Sequence, residues 1–521
     1  MFRSLAFPAA LLAFLLAALL AFLLPAAASA APLPRPADVA LPAELPLLPK
    51  IEAALRLDRG EDGSPIYKAL EPVLAQLPAP TRLRGLVQFL RGIHASDRAA
   101  ARAAIEESVR LLPEHTMPLL VAAQMDVFAG RPGEAADALL RASRIDRRSL
   151  ELVADYEMGS VLGRLSEARD TVRLHALSER LVEVDWSRGT SARRAWVALN
   201  AVEARIARGD TAGAASLVPR LRKPRDFARL LTEKKFAALR PAVESWAGAR
   251  LEKQWPIYLD EARREWERTR DLAAGQDYLV ALREAGHLRT IVATFGPFYE
   301  GEIDRQQFQL TQMASTVAAA YAELGQWDRA LRVFERGLAT WPADEEANGL
   351  NFIGNRARLR IMKGDFEAGL ADADRMLEAS KRFGGEVNSG AIAAVHLYRA
   401  CALHQLGRTT GDDESTRLIG ARRNADPTSA IWLDLCRGDT GFAKATLLAA
   451  FENEASRGEA LGWVQPAPPA GLSSDFARLM HGRGAALQKD PAVRRAAAKY
   501  GRILGEPVAA TAPKEAPVPA R

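Results

Sequence analysis

From about residue 50 to residue 506 nearly every segment carries apolar residues at helical spacing, and glycines interrupt these runs at intervals of a few tens of residues. Around the glycines a frame recurs: Gly, a small residue five positions on, and an apolar or small residue nine on. Gly130 is followed by Ala135 and Leu139, Gly163 by Ala168 and Val172, and Gly209 by Ala214 and Val218. Gly364 is followed by Gly369 and Ala373, and Gly438 by Ala443 and Leu447. Such a frame predicts pairs of antiparallel helices. Gly permits the tight turn between them, and the small residues let the two helices approach closely. In Gly209-Asp210, Gly364-Asp365 and Gly438-Asp439 the aspartate is placed to cap the second helix. Alternating strand patterns are missing, so an all-α body is expected.

The frame is fullest between Val317 and Pro342, where Ala318 and Tyr321 precede Gly325, and Ala330, Phe334, Gly337 and Pro342 follow it. This spacing of small, aromatic and Pro positions resembles the tetratricopeptide repeat (TPR) consensus. The resemblance implies a TPR-like helical-hairpin solenoid, a right-handed superhelix, here with two arcs of repeats joined by longer helices. Gly407 closes a first helix, but the polar run after it predicts an insertion in that hairpin.

The ends read differently. Arg3, an apolar run from Leu5 to Leu24, and Ala28-Ser29-Ala30 form the pattern of a secretory signal peptide over 1–30, with cleavage before Ala31. An uncleaved anchor is the rival, because twenty apolar residues can span a bilayer core of about 30 Å. Cleavage leaves no stable membrane span and a periplasmic or secreted chain. Residues 31–49 form a Pro-rich leader and 507–521 a tail expected to be disordered. Between them lie N-terminal repeats over 50–223, linking helices with a weak hairpin at Gly286 over 224–300, and C-terminal repeats with a capping helix over 301–506. Trp246, Trp255 and Trp266 are expected to fill gaps between the linking helices.

Lys and Arg number 70 against 64 Asp and Glu, a net charge of +6 spread over 521 residues. No dense basic run is present, which argues against nucleic-acid binding. No zinc-protease, phosphate-loop or nucleophile-elbow motif occurs, so catalysis is unsupported and no cofactor is implied. A zinc site on Cys401, His404 and Cys436 is disfavoured by the spacing. The two cysteines fall in the first helices of neighbouring hairpins, which places them either in a disulfide or as buried free thiols.

In TPR families the first helices line a groove that receives a peptide or helix. Carried over residue by residue, the resemblance implies groove positions Gln312, Ser315, Asn351, Arg358, His404 and Gln405. Arg356 and Arg399 stand where the family has apolar residues. Either the register slips by one there, or these arginines are partly buried and paired. With Arg358 and Arg360 they would form a basic pocket for a carboxylate or phosphate; the rival is arginines on an exposed helix face that pair with nearby Asp and Glu. The function expected first is an exported scaffold holding a protein or peptide partner. The alternative is a small-anion carrier or sensor, or a maturation factor, using arginines near 356–360 and 399.

Overall fold

A computed structural model describes residues 33–57, 64–383, 387–408, 413–466 and 473–515. The expected signal peptide and its cleavage site lie outside these residues. Among the described residues the elements are helices, with one isolated bridge between Glu233 and Gly501 and no helix long and apolar enough to cross a membrane. The chain divides in sequence between Leu221 and Arg222 into two compact units.

In the first unit the hairpins are α1 (Arg82–Ile93) with α2 (Arg98–Leu111), α3 (Thr116–Phe128) with α4 (Pro132–Ile145), α5 (Asp155–Glu167) with α6 (Thr171–Glu183), and α7 (Ser191–Ala207) with α8 (Thr211–Leu217). The Pro-rich leader is not merely extended. It forms short helices at Pro36–Val39, Pro42–Leu47 and Leu48–Leu55, and Val39, Leu47 and Ile51 bury against Leu70 and Leu83. Pro36, Pro42 and Pro49 are tolerated because they occupy helix starts, where a missing N–H costs nothing; Pro46 alone falls inside a turn of helix.

The second unit opens with α9 (Pro224–Thr232), α10 (Gln254–Thr269), α11 (Leu272–Ala285) and α12 (Leu288–Phe295). Four hairpins follow: α13 (Gln309–Glu323) with α14 (Trp327–Thr340), α15 (Ala347–Lys363) with α16 (Phe366–Ser380), α17 (Ser389–Gln405) with α18 (Glu414–Ala421), and α19 (Pro427–Arg437) with α20 (Thr440–Glu452). The unit ends with α21 (Glu454–Trp463), α22 (Asp475–Lys489) and α23 (Pro491–Tyr500). In this unit the first helices α13, α15, α17 and α19 each pack on their own partner, on the preceding second helix and on the neighbouring first helix, as stacked TPR-like hairpins require.

The turns explain the spacing. Gly130, Gly209, Gly286, Gly325, Gly364, Gly407 and Gly438 all hold positive φ, where a Cβ is costly. Gly163 does not; it sits inside α5, and Arg169, at φ 56°, makes the turn instead. Gly248, φ 87°, ends the helix Arg240–Ala247 in the stretch expected to fall outside the frame. Positive-φ residues at 130, 169, 209, 248, 286, 325 and 364 stand in steps of 38–40 residues, with others between them at 185, 251 and 270. Of the three Gly-Asp turns, only Asp210 caps its helix through the side chain, accepting from Gly213 N at 2.9 Å.

Ala318, Ala330 and Gly337 are buried where helices touch, and Tyr321 and Phe334 fill the space between hairpins. Burying a side chain such as Phe334 contributes about 1.5–3 kcal/mol. Trp255 and Trp266 are buried as expected, whereas Trp246 is 46% exposed. The terminal segment also departs from expectation. Residues 507–515 are seated on the start of the unit: Trp255 Nε1 donates to Val508 O at 2.7 Å, and Thr511 Oγ1 donates to Arg250 O at 2.7 Å. Arg502 N donates to Thr232 O at 2.9 Å, so the end of the second unit closes on its beginning. Composition alone missed this because the contacts are backbone carbonyls meeting distant donors.

Candidate partner-binding face

The first helices α13, α15, α17 and α19 lie side by side, which sets the predicted groove positions in one array. Gln312 is exposed and accepts from Gln276 Nε2 at 3.1 Å; Ser315 is half-buried. Asn351 and Arg358 on α15 are exposed. His404 and Gln405 are half-buried, and Gln405 is already occupied: its Nε2 donates to Cys436 O, 2.7 Å away on α19. That bond satisfies a carbonyl near a helix C-terminus, so Gln405 ties two first helices together.

Cys401 and Cys436 do the same covalently. They form a disulfide with a Cα separation of 5.9 Å, and neither is accessible to solvent. Bonded to each other, they offer no thiolate for zinc.

The arginines resolve toward pairing. Arg356 makes a two-pronged contact with Asp372, and Arg360 Nη1 reaches the same carboxylate at 2.9 Å. Arg399 bonds Asp374 at 2.6 Å and Asp413 at 2.8 Å. The aspartate side chains at 372 and 413 are both 5% exposed. The basic pocket proposed for a small anion is thus corrected: three of its four arginines are neutralised by carboxylates from within the repeat, and only Arg358 presents an exposed guanidinium. Asp413 titrates below the ordinary carboxylate range. Burial pushes it up, but the Thr416 hydroxyl and amide together with Arg399 outweigh that.

Two aromatic residues escaped the sequence reading. Tyr398 on α17 and Trp432 on α19 pair edge-to-face, 6.1 Å between centroids, both half-buried. Arg358 lies close enough to act on the Tyr398 phenol, whose pKa is raised by burial against the pull of that charge. Tyr398 precedes Arg399 and falls between frame positions, so only stacking of adjacent first helices shows it next to Trp432.

The turn edge of the same hairpins is covered by the chain itself. Ser473 Oγ donates to Ala322 O at the end of α13, and Ser474 Oγ donates to Met362 O at the end of α15. Ser474 also accepts from Ala477 N at 3.0 Å, capping α22. Phe476 meets Phe366 edge-on at 5.0 Å, and Arg483 Nη1 donates to Leu435 O and Cys436 O at 2.6 and 3.0 Å. Hydroxyls and a guanidinium are therefore spent on carbonyls at helix C-termini, where the dipole favours positive charge. An open hollow of about 770 Å³ remains beside this segment, lined by Trp327, Lys363 and Phe366.

No family model and no curated protein matches the chain. Among solved structures, similarity is found to Naa15/Naa10 bound to HypK-THB (12% identity, covering 85% of this chain and 79% of that one, TM-score 0.24). It is found also to the TPR domain of P58(IPK), at 12% identity over 71% of this chain and 98% of that one, TM-score 0.17. A circular tandem repeat protein shares 18% identity over 86% of this chain and 85% of that one, with a TM-score of 0.10.

Proposed function

We propose that this chain is a non-catalytic scaffold that holds a protein or peptide partner on the first-helix face of its second unit, outside the cytoplasm. The observation that carries this reading is the stacked array of α13, α15, α17 and α19, which presents Gln312, Asn351 and Arg358 to solvent while its turn edge is already covered. Exposed polar groups beside a half-buried aromatic pair suit a partner bearing both polar and apolar side chains. Export is supported by the signal-like N-terminus and by the buried disulfide, which persists in oxidising compartments.

A photo-crosslinking residue at position 351 or 358 tests the face. One partner should be captured from both positions and not from position 336, on the outward side of α14. Equal capture from all three sinks the reading. N-terminal sequencing should find the mature chain starting at Ala31; a retained residue 1–30 in the membrane fraction sinks the export part.

A further inference from the structure

Among the described residues, the first unit has an edge like the one α22 covers in the second, but open. Between the start of α2 and the end of α3 lies a groove of about 280 Å³. Its apolar wall includes Ala99, Val121, Met125 and Phe128, and Phe128 is a large aromatic left 46% exposed. The charged residues lining it are Arg98, Arg102 and Arg131. Arg102 is held by Asp126 and Glu106, and Arg131 Nε bonds Asp126 at 2.8 Å, so one buried carboxylate is shared by two guanidinium groups. Arg98 stands exposed at the first position of α2.

We propose that this groove takes a short acidic segment of a partner protein, with one aromatic or aliphatic side chain seated beside Phe128 and a neighbouring carboxylate paired with Arg98. This rests on the reading of the chain as a scaffold and adds a second place of attachment. Three observations converge. At about 280 Å³ the groove lies at the lower edge of the roughly 300–1,000 Å³ of sites that enclose a small molecule, with room for one or two side chains. Its charged rim is all arginine, and arginine pairs with carboxylates through two parallel hydrogen bonds. In the second unit, the edge between the start of α14 (Trp327) and the end of α15 (Met362) is filled by Ser473–Phe476, which places an aromatic ring against Phe366. The fold thus already holds one extended segment with an aromatic anchor at this kind of edge.

The test is an anisotropy titration of the full chain with a labelled peptide, Ser-Ser-Asp-Phe-Ala-Glu-Leu, which copies residues 473–479 with glutamate in place of arginine. Phe128→Asp and Arg98→Glu should each weaken binding at least tenfold with helical content unchanged. A peptide with lysine for both acids should not bind. Arg358→Glu, on the other face, should leave the titration as it was, so failure of that face and failure of this groove are distinguishable. No binding to the unaltered chain, equal binding of the lysine peptide, or indifference to Phe128→Asp overturns the proposal. So does binding that appears only after removal of residues 1–32, since Leu33 packs in the same cluster as Met125 and the chain's own start would then be the occupant.

Discussion

Arg356 and Asp372 face each other through two parallel bonds, Nε to Oδ2 at 2.8 Å and Nη2 to Oδ1 at 2.7 Å, and Arg360 closes on the same carboxylate. The three side chains are 12%, 5% and 21% exposed. One aspartate on α16 therefore fixes two arginines on α15 where apolar packing would otherwise hold the hairpin. Charges this buried cost several kcal/mol each to desolvate, and the cluster persists only while all its members are paired.

Removing the shared carboxylate should therefore cost more than removing either arginine. Asp372→Ala leaves two half-buried cations facing each other and is expected to destabilise the region by about 3–5 kcal/mol. Arg360→Ala leaves the two-pronged pair intact and should cost well under half of that. Hydrogen exchange across α15 and α16 in the two variants reads the difference. Equal losses would mean that the carboxylate is not the centre of the cluster.

The disulfide closes a sequence separation of 35 residues between α17 and α19. A loop of that length gains about 3–4 kcal/mol from chain entropy lost by the unfolded state. Cys401→Ser with Cys436→Ser should lower stability by that order and first expose α17 through α20. The reduced chain should still make the Gln405 bond to residue 436, since that acceptor is a backbone carbonyl. Non-reducing mass analysis of the unfolded chain should find no alkylatable thiol.

How much was legible depends on what each residue does. Gly325, Gly364 and Gly438 could be placed as turns because positive φ restricts the choice of residue. Arg169 could not: a side chain in that region costs about 1–2 kcal/mol, and nothing in its composition announces it. Gly163 carries the same frame of small and apolar residues but lies inside α5, so composition points to the wrong residue for that turn. The first-helix positions Asn351 and Arg358 were found because one hairpin's frame transfers to the next. Gln405 was placed in the array, but its bond to the Cys436 carbonyl depends on the neighbouring helix. Ser473–Arg483 and residues 507–515 were missed for the same reason, since their partners lie from 47 to 261 residues away. Periodicity carries local geometry; it carries little about which distant carbonyl a hydroxyl will meet.

Acid should act in opposite senses on two sites. Burial holds the His396 imidazole, 2.9 Å from Ser415 Oγ, below its ordinary pKa. Its neutral form is the folded one, so its stabilisation is present above the unfolded value of about 6.5 and is lost as pH falls through the lower folded value. Asp413, also depressed, adds a further loss below about pH 4. Glu157 in α5 is raised by burial, despite bonds from Ala154 N and Gln124. Its penalty is present at neutral pH and is relieved as pH falls through the folded value toward the unfolded one near 4.3. Hydrogen exchange, corrected for the intrinsic rate, should show α17 and α18 loosening below pH 6.5 while α5 tightens toward pH 5. Parallel changes in both would contradict the assignment.

Gly337 on α14 packs directly against Phe352 on α15. A Cβ at residue 337 would stand 2.1 Å from Phe352 Cε1 and 2.2 Å from Cδ1. Phe352 has no room to yield, being fully buried and stacked on Trp341 at 5.7 Å with 11° between planes. Gly337→Ala sets two effects against each other. Alanine favours an interior helical position by about 1 kcal/mol. Overpacking costs about 1–3 kcal/mol, and tilting Phe352 off Trp341 forfeits roughly 0.5–1.5 more. Packing should win by about 0.5–3.5 kcal/mol, and Phe352→Leu in the same chain should recover part of the loss. Gly364→Ala is the contrast: nothing lies within 4 Å of its Cβ, but φ is 95°, so its cost of about 1–2 kcal/mol is one that no change in a neighbour can relieve. Arg336→Ala, on the exposed side of α14, should move stability by less than about 0.5 kcal/mol. Denaturant unfolding of the four variants decides the matter. A Gly337→Ala chain more stable than the original would show that α14 and α15 are not in the contact that defines this hairpin stack.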